Sequence, residues 1–189
     1  MLRHISISIR MLLLCTVVLG VAYPLVIGAA ALGLGTIAQG ATISNSRGQI
    51  VGSELIGQKF ESPRYFHGRP SAAGEGYDAM ASSGSNLGPT SKKLANDIAA
   101  RVKAAVADDP SIKGAVPVDM VTSSGSGLDP DISPANAHAQ VARVAKARGL
   151  SEAVVAGLVD RSIAGRQLWL LGEPRVNVLK LNIALDALR

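Results

Sequence analysis

The chain has 189 residues, 48% hydrophobic, 3% aromatic and 17% charged, with 19 basic and 14 acidic side chains and a formal net charge of +5. So little charge, against the roughly 25% usual in soluble proteins, points away from disorder and towards a membrane component. The single cysteine, Cys15, excludes an internal disulfide or thiolate zinc cage, the histidines at 4, 67 and 138 offer no metal-ligand spacing, and the cations form no stripe of the kind that binds nucleic acid.

The apolar residues are concentrated at the N-terminus. Between Arg10 and Arg47 lie 36 residues without a charge, and Met11 to Ala38 is almost wholly Leu, Val, Ile, Ala and Gly. A bilayer core needs about 20 such residues. A secretory signal would share the basic start, but its apolar stretch typically runs about 7–15 residues, shorter than this one. A lipoprotein signal would place small residues before its cysteine, and Leu12-Leu13-Leu14 precede Cys15. The expectation is one uncleaved transmembrane helix over 11–38, kinked near Tyr23 by Pro24. Arg3 and Arg10 lie on one flank and no cation on the other until Arg47, so the positive-inside rule puts the leader 1–10 in the cytoplasm and residues 40–189 outside. Ala29 with Gly33, and Ala31 with Gly35, are small residues four apart that would let another helix pack closely.

Residues 40–189 hold all 14 acidic side chains and all 19 basic ones except Arg3 and Arg10, leaving 17 and a net +3. The apolar residues around Asn45-Ser46-Arg47-Gly48 predict two short strands. Leu94, Ile98, Val102 and Val106 predict a helix over 92–107, with Thr90 near its cap and Asp109-Pro110 at its end. Val116 to Thr122 reads as a strand. Ser133-Pro134 opens a helix that Gly149 stops after Arg148, and Ser151 caps another through about Ile163. Arg175 to Leu179 reads as extended, and Leu181, Leu185 and Leu188 close the chain with helical spacing. The fold class expected is α+β, one N-terminal transmembrane helix followed by a single mixed extracytoplasmic domain.

Ser82 to Pro89 repeats as Ser123 to Pro130 at six of eight positions, offset by 41. Such glycine loops before capped helices suit either an anion or partner-carbonyl site or plain, well-capped turns; neither has the GxxxxGK[ST] pattern of a P-loop. Asn136, Gln140 and Arg143 share a helix face whose ordinary reading is solvated. Phe60, Tyr65, Phe66 and Tyr77 bring four of six aromatics into 18 residues, a pattern commoner in a local core than at an interface. No nucleophile–base pair or carboxylate pair is visible, so no catalytic residue is assigned.

Several stretches together resemble the C subunit of the Kdp-type potassium-transporting ATPases, the KdpC family: VGSELIGQ at 51–58, YFHGRPSA at 65–72, SGSNLGP at 83–89, VTSSGSGLDPDISPANAHAQVARVAKARGL at 121–150 and LGEPRVNVLKLNIALD at 171–186. The resemblance covers essentially the whole chain. Two departures are a serine where the family usually has a second glycine, within Ser83-Gly84-Ser85, and Asp131 where it commonly has histidine.

The resemblance implies a non-catalytic accessory subunit of the bacterial inner membrane. Its partners would be a potassium-channel-like subunit and a P-type ATPase subunit, which it helps assemble or tune. It implies no cofactor of its own, ATP and Mg acting at the level of the complex. The family's C subunit is also described as a catalytic chaperone that raises nucleotide affinity. A nucleotide or partner contact of that kind would use Ser85, Asn86, Ser126, Asp129, Gln140 and Arg143, with Tyr65, Phe66 and Arg69 as further partner contacts. Direct contact with cytoplasmic ATP conflicts with the exterior placement read from the charge asymmetry. Apart from the resemblance, the residues leave open a membrane-anchored periplasmic binding or assembly module unrelated to potassium.

Overall fold

The computed structural model describes every residue except Met1, Ser46, Lys113 and Arg189, in two units, Met1–Thr42 and Ile43–Arg189. The first is dominated by one apolar helix, Leu2–Gly33, whose 32 residues exceed the length needed to cross a bilayer. It consists of α1 (Leu2–Val17), a π-helical turn (Val18–Ala22) and α2 (Tyr23–Gly33). The π turn has a local cause. Pro24 cannot donate an N–H, and its ring crowds the carbonyl one turn back, so the preceding turn widens and Tyr23 N–H reaches Val18 O instead. The helix starts nine residues before the expected Met11, because nothing in Leu2–Arg10 breaks it. It ends before Ala38, where Gly35 takes φ +56° and a 3₁₀ turn (Gly35–Gln39) follows. Ala29 and Gly33 therefore share an α-helical face, whereas Ala31 and Gly35 do not.

The second unit is α+β. β1 (Thr42–Ser44) and β2 (Ile50–Ser53) form a two-stranded sheet, joined by a turn in which Asn45 Oδ1 accepts from Arg47 N–H (2.9 Å) and Gln49 N–H (3.0 Å). Ser46 of the expected turn lies outside the described residues. A long, mostly irregular segment with a 3₁₀ turn (Ala79–Ala81) leads to α3 (Lys92–Asp108), capped by Ser91 rather than Thr90. None of α3 is fully buried; Leu94, Ile98 and Val102 are half-covered and Val106 is exposed.

The expected strand over Val116–Thr122 is instead a single helical turn, α4 (Val118–Val121). Pro117 fixes the entry, and the buried Asp119 carboxylate accepts from Ser133 N–H (2.7 Å), Ser133 Oγ (2.9 Å) and Asn136 Nδ2 (3.1 Å). These tertiary bonds outweigh the β-branched preference of Val116, Val118 and Val121.

β3 (Asp131–Ile132), β4 (Ile163–Ala164) and β5 (Arg175–Asn177) make an antiparallel sheet in the order β3-β5-β4, with Ile132 and Ile163 both opposite Val176. Asp131 accepts from Arg175 Nε (3.0 Å) across that sheet. The expected helix from Pro134 to Arg148 is two, α5 (Pro134–Ala139) and α6 (Val141–Arg148), tightened at Gln140, whose N–H turns back to Ala137 O (3.2 Å). Ser133, Ser151 and Gly149 act as the caps their positions predict. α7 (Glu152–Ser162) follows, and α8 (Val178–Asp186) begins two residues earlier than the extended reading of 175–179 allows, because Asn177 Oδ1 caps it by accepting from Lys180 N–H (3.0 Å). The core is Phe66, Val144, Val155, Val159, Val176, Leu181 and Leu185, packed among α5–α8 and the sheet.

The two Ser-Gly loops pack on each other. A Cβ on Gly84 would lie 2.9 Å from Gly125 O, one on Gly127 would lie 2.6 Å from Ser83 O and 2.7 Å from Ala73 N, and Ser82 Oγ donates to Ser126 O (2.9 Å). Gly127 also needs φ +67°, whereas Gly125 faces open space. Gly127→Ala should therefore destabilise the domain by about 2 kcal/mol or more, and Gly125→Ala should stay within about 0.5 kcal/mol of the parent. Thermal melts of the two variants in detergent check the contrast.

Candidate functional site

The segment Pro63 to His67 belongs to no sheet, yet side chains from α6, α8 and the α5–α6 junction take each of its carbonyls. Arg143 NH1 donates to Pro63 O (2.8 Å) and Tyr65 O (3.1 Å), and Arg148 Nε donates to Arg64 O (2.7 Å). Two amides then pair with the backbone as a neighbouring strand would. Asn182 Oδ1 accepts from Phe66 N–H (2.9 Å) while its Nδ2 donates to Phe66 O (3.0 Å). Gln140 Oε1 accepts from His67 N–H (2.8 Å) and its Nε2 donates to His67 O (3.0 Å). Gln140 Nε2 donates again to Asn136 Oδ1 (2.8 Å), and its Oε1 accepts again from Arg143 NH2 (2.6 Å). Both donor and both acceptor positions of this amide are thus used. Through Asn136 the network reaches Asp119, so the polar face of α5–α6 is buried rather than solvated, with Gln140 only 4% exposed.

Beside this clamp lies a cleft of about 550 Å³, lined by His67, Arg69 and Tyr77 on one side, Arg101 and Asp108 of α3 on the other, and Gln140 and Arg143. Arg143 Nε approaches Asp108 (3.5 Å), and Asp109, also on the cleft, has one carboxylate oxygen with no hydrogen-bond partner among the described residues. Burial, then the neighbouring Arg143 charge, lowers the pKa of His67, whose Nε2 lies 3.1 Å from Ser62 O. Burial pushes the Tyr77 hydroxyl up to about 12; as a neutral donor it bonds Arg69 O (2.6 Å). Arg69 itself pairs with Asp129 (3.1 Å) and reaches Thr122 O (3.4 Å) and Ser123 O (3.3 Å). Among the described residues no three His, Cys, Asp or Glu side chains cluster to hold a metal.

The structure divides the residues that the sequence singles out. Gln140 and Arg143 line the cleft together, and Asp129 joins its edge only through Arg69. Ser85, Asn86 and Ser126 are exposed on the twin loops, away from it. Phe66 is completely buried and is a core residue, which corrects its reading as a partner contact. Tyr65 is half-buried, with Arg148 4.9 Å from its ring centroid and its hydroxyl on Asp186 (3.2 Å). The sequence reading missed Asp119, Asn182, His67 and Arg101. Asn182 alone carried a signal, a polar residue next to Leu181 at a core-facing position of an apolar helix.

The family model for KdpC, described as K+-transporting ATPase, c chain, matches residues 5–187. This chain belongs to the KdpC family. Relatives named Potassium-transporting ATPase KdpC subunit include one from Gemmatimonas aurantiaca, 55% identical and covering 100% of this chain and 94% of its own. One from Caulobacter vibrioides is 52% identical, covering 99% and 94%, and one from Sorangium cellulosum is 53% identical over 100% of both. In this KdpC-family chain the stretches that carry the resemblance are in contact. Residues 65–72 meet 121–150 through Gln140, Arg69 and the bond from Ser71 Oγ to Gly127 O (2.6 Å), and meet 171–186 through Asn182.

Gln140→Ala would orphan the buried His67 N–H and C=O together with one arm of Arg143. The expected loss is on the order of 3 kcal/mol, about 6–12 °C in melting temperature for a domain of this size, whereas Ser85→Ala should change stability by less than about 0.5 kcal/mol. Denaturation of the two variants separates the clamp from the loop surface.

Because the folded His67 pKa lies below the unfolded value, the unfolded chain binds the extra proton, and stability falls as pH drops below the unfolded value of about 6.5. Melting temperatures between neutral pH and about pH 5 should fall more steeply for the parent than for His67→Gln.

Proposed function

We propose that this chain is the accessory C subunit of an ATP-driven potassium-uptake complex in the bacterial inner membrane, working beside a channel-like subunit and a P-type ATPase subunit. The observation that carries the reading is the KdpC-family match over residues 5–187. The apolar helix Leu2–Gly33 anchors the chain. Its basic residues, Arg3 and Arg10, support a cytoplasmic N-terminus and an exterior domain.

The chain's role is to stabilise the two larger subunits and tune ATP-coupled transport, ATP and Mg acting elsewhere in the complex. The side-chain bonding supports this reading. Gln140 has no hydrogen-bonding capacity left for a nucleotide, and Arg143 is engaged by Asp108, Gln140, Pro63 and Tyr65. A weakly charged body of this kind suits a cap over the ion entrance of the channel-like subunit. The chaperone effect on nucleotide affinity is then exerted through subunit contacts. A second reading, an anchored binding module independent of potassium, is favoured only by the cleft beside Gln140.

Reporters attached after Arg189 test the placement: active alkaline phosphatase with dark green fluorescent protein is expected, and the reverse overturns it. Mild detergent extraction followed by native co-purification tests the assembly. Recovery with two larger membrane proteins is expected, and a monomer without them overturns the subunit reading in favour of the binding module.

A further inference from the structure

The antiparallel strands β4 and β5 are joined by residues 165–174, a hairpin closed by paired bonds, Gln167 N–H to Leu171 O (2.8 Å) and Leu171 N–H to Gln167 O (2.9 Å). Its stem is braced by Arg166 NH2, which donates to both Glu173 oxygens (2.8 and 2.7 Å). The tip is Leu168-Trp169-Leu170, and Leu171 follows it; all four are exposed, Trp169 at 95%.

Two features set this tip apart from ordinary surface. Four consecutive large apolar side chains face water, where a loop normally carries polar residues. Leu168 and Trp169 both have positive φ, +50° and +65°, a conformation that glycine or asparagine adopts more easily. The fold thus holds bulky apolar residues in a strained tip that no part of the described chain covers.

We propose that this tip inserts into the interfacial layer of the bilayer that anchors the chain. Trp and Leu on a narrow, convex finger match the boundary between headgroups and acyl chains, where an indole keeps its N–H wet and its ring in an apolar layer. One cation at the base of the hairpin is complementary to anionic headgroups. Arg166 is paired with Glu173 and Arg175 with Asp131, whereas Arg161 has no ion pair among the described residues. The anchor supplies proximity. Only residues 34–41 separate the apolar helix from β1, so the domain stays at high effective concentration next to the membrane. The proposal rests on membrane anchoring and not on potassium transport.

Trp169 is the chain's only tryptophan, so its fluorescence reports the tip alone. The full chain is reconstituted at one copy per nanodisc of phosphatidylethanolamine and phosphatidylglycerol, with and without acyl chains brominated near the headgroup. The expected result is blue-shifted emission that loses most of its intensity to brominated lipid and resists acrylamide. Leu168→Asp with Leu170→Asp keeps the probe and uses a residue that tolerates positive φ; it should reverse both properties while far-ultraviolet circular dichroism stays that of the parent. Red-shifted, acrylamide-quenched emission in the parent overturns the proposal. A blue shift that arises only with larger subunits present assigns the tip to a protein pocket, and one that arises only with two copies per disc assigns it to a second copy; both overturn it. Failure of the chain to co-float with lipid would instead refute the anchor.

Discussion

A segment of five residues outside any strand is held in this domain by side chains. The carbonyls of Pro63, Arg64, Tyr65, Phe66 and His67 are each taken by an arginine or amide side chain of α6, α8 or the α5–α6 junction. Buried backbone groups must be paired, and here the pairing comes from helices. Phe66 can enter the core only because Asn182 satisfies its N–H and C=O on either side of the ring. The packing follows from that constraint: α8 must flank the segment closely enough for the short Asn182 to reach its backbone, and α6 near enough for Arg143 and Arg148.

The same constraint accounts for the break at Gln140. A continuous helix would leave this residue as one more position on a polar face. Tightened to a 3₁₀-like bond with Ala137, the junction sits where the amide meets His67, Asn136 and Arg143 at once. Asp119 anchors the far end of the network by accepting three hydrogen bonds from Ser133 and Asn136. Networks of this kind are stable only when complete, because any unpaired member lies in a medium that solvates it poorly. Completeness also narrows the chemistry available. The polar groups facing the cleft are largely committed to the fold, which suits a body that other subunits hold and lean on.

The twin glycine loops make a related point. Each copy alone looks like a cradle for a ligand, but the space under Gly84 and Gly127 is occupied by the other copy's backbone. Their glycines permit loop-to-loop contact, while Ser85, Asn86 and Ser126 remain on the outside. Resemblance between the loops thus reflects mutual packing around a shared contact, with no ligand required to explain either glycine.

The sequence by itself determined whatever depends on neighbours within a turn or two. The α+β class was legible in the alternating and helical apolar patterns. The apolar anchor, the caps at Ser133 and Ser151 and the stop at Gly149 are local, since their hydrogen bonds close within four residues. Helical periodicity also placed Asn136, Gln140 and Arg143 on one face, but periodicity cannot say what covers a face. Tertiary structure decided that this face is buried, because its partner, Pro63 to His67, lies more than 70 residues earlier in the chain. It likewise turned Val118–Val121 into a helix through Asp119's distant partners and set Phe66 in the core, deciding between the two readings its aromatic cluster allowed. Local rules fix where a side chain points; only the fold brings the backbone it must satisfy.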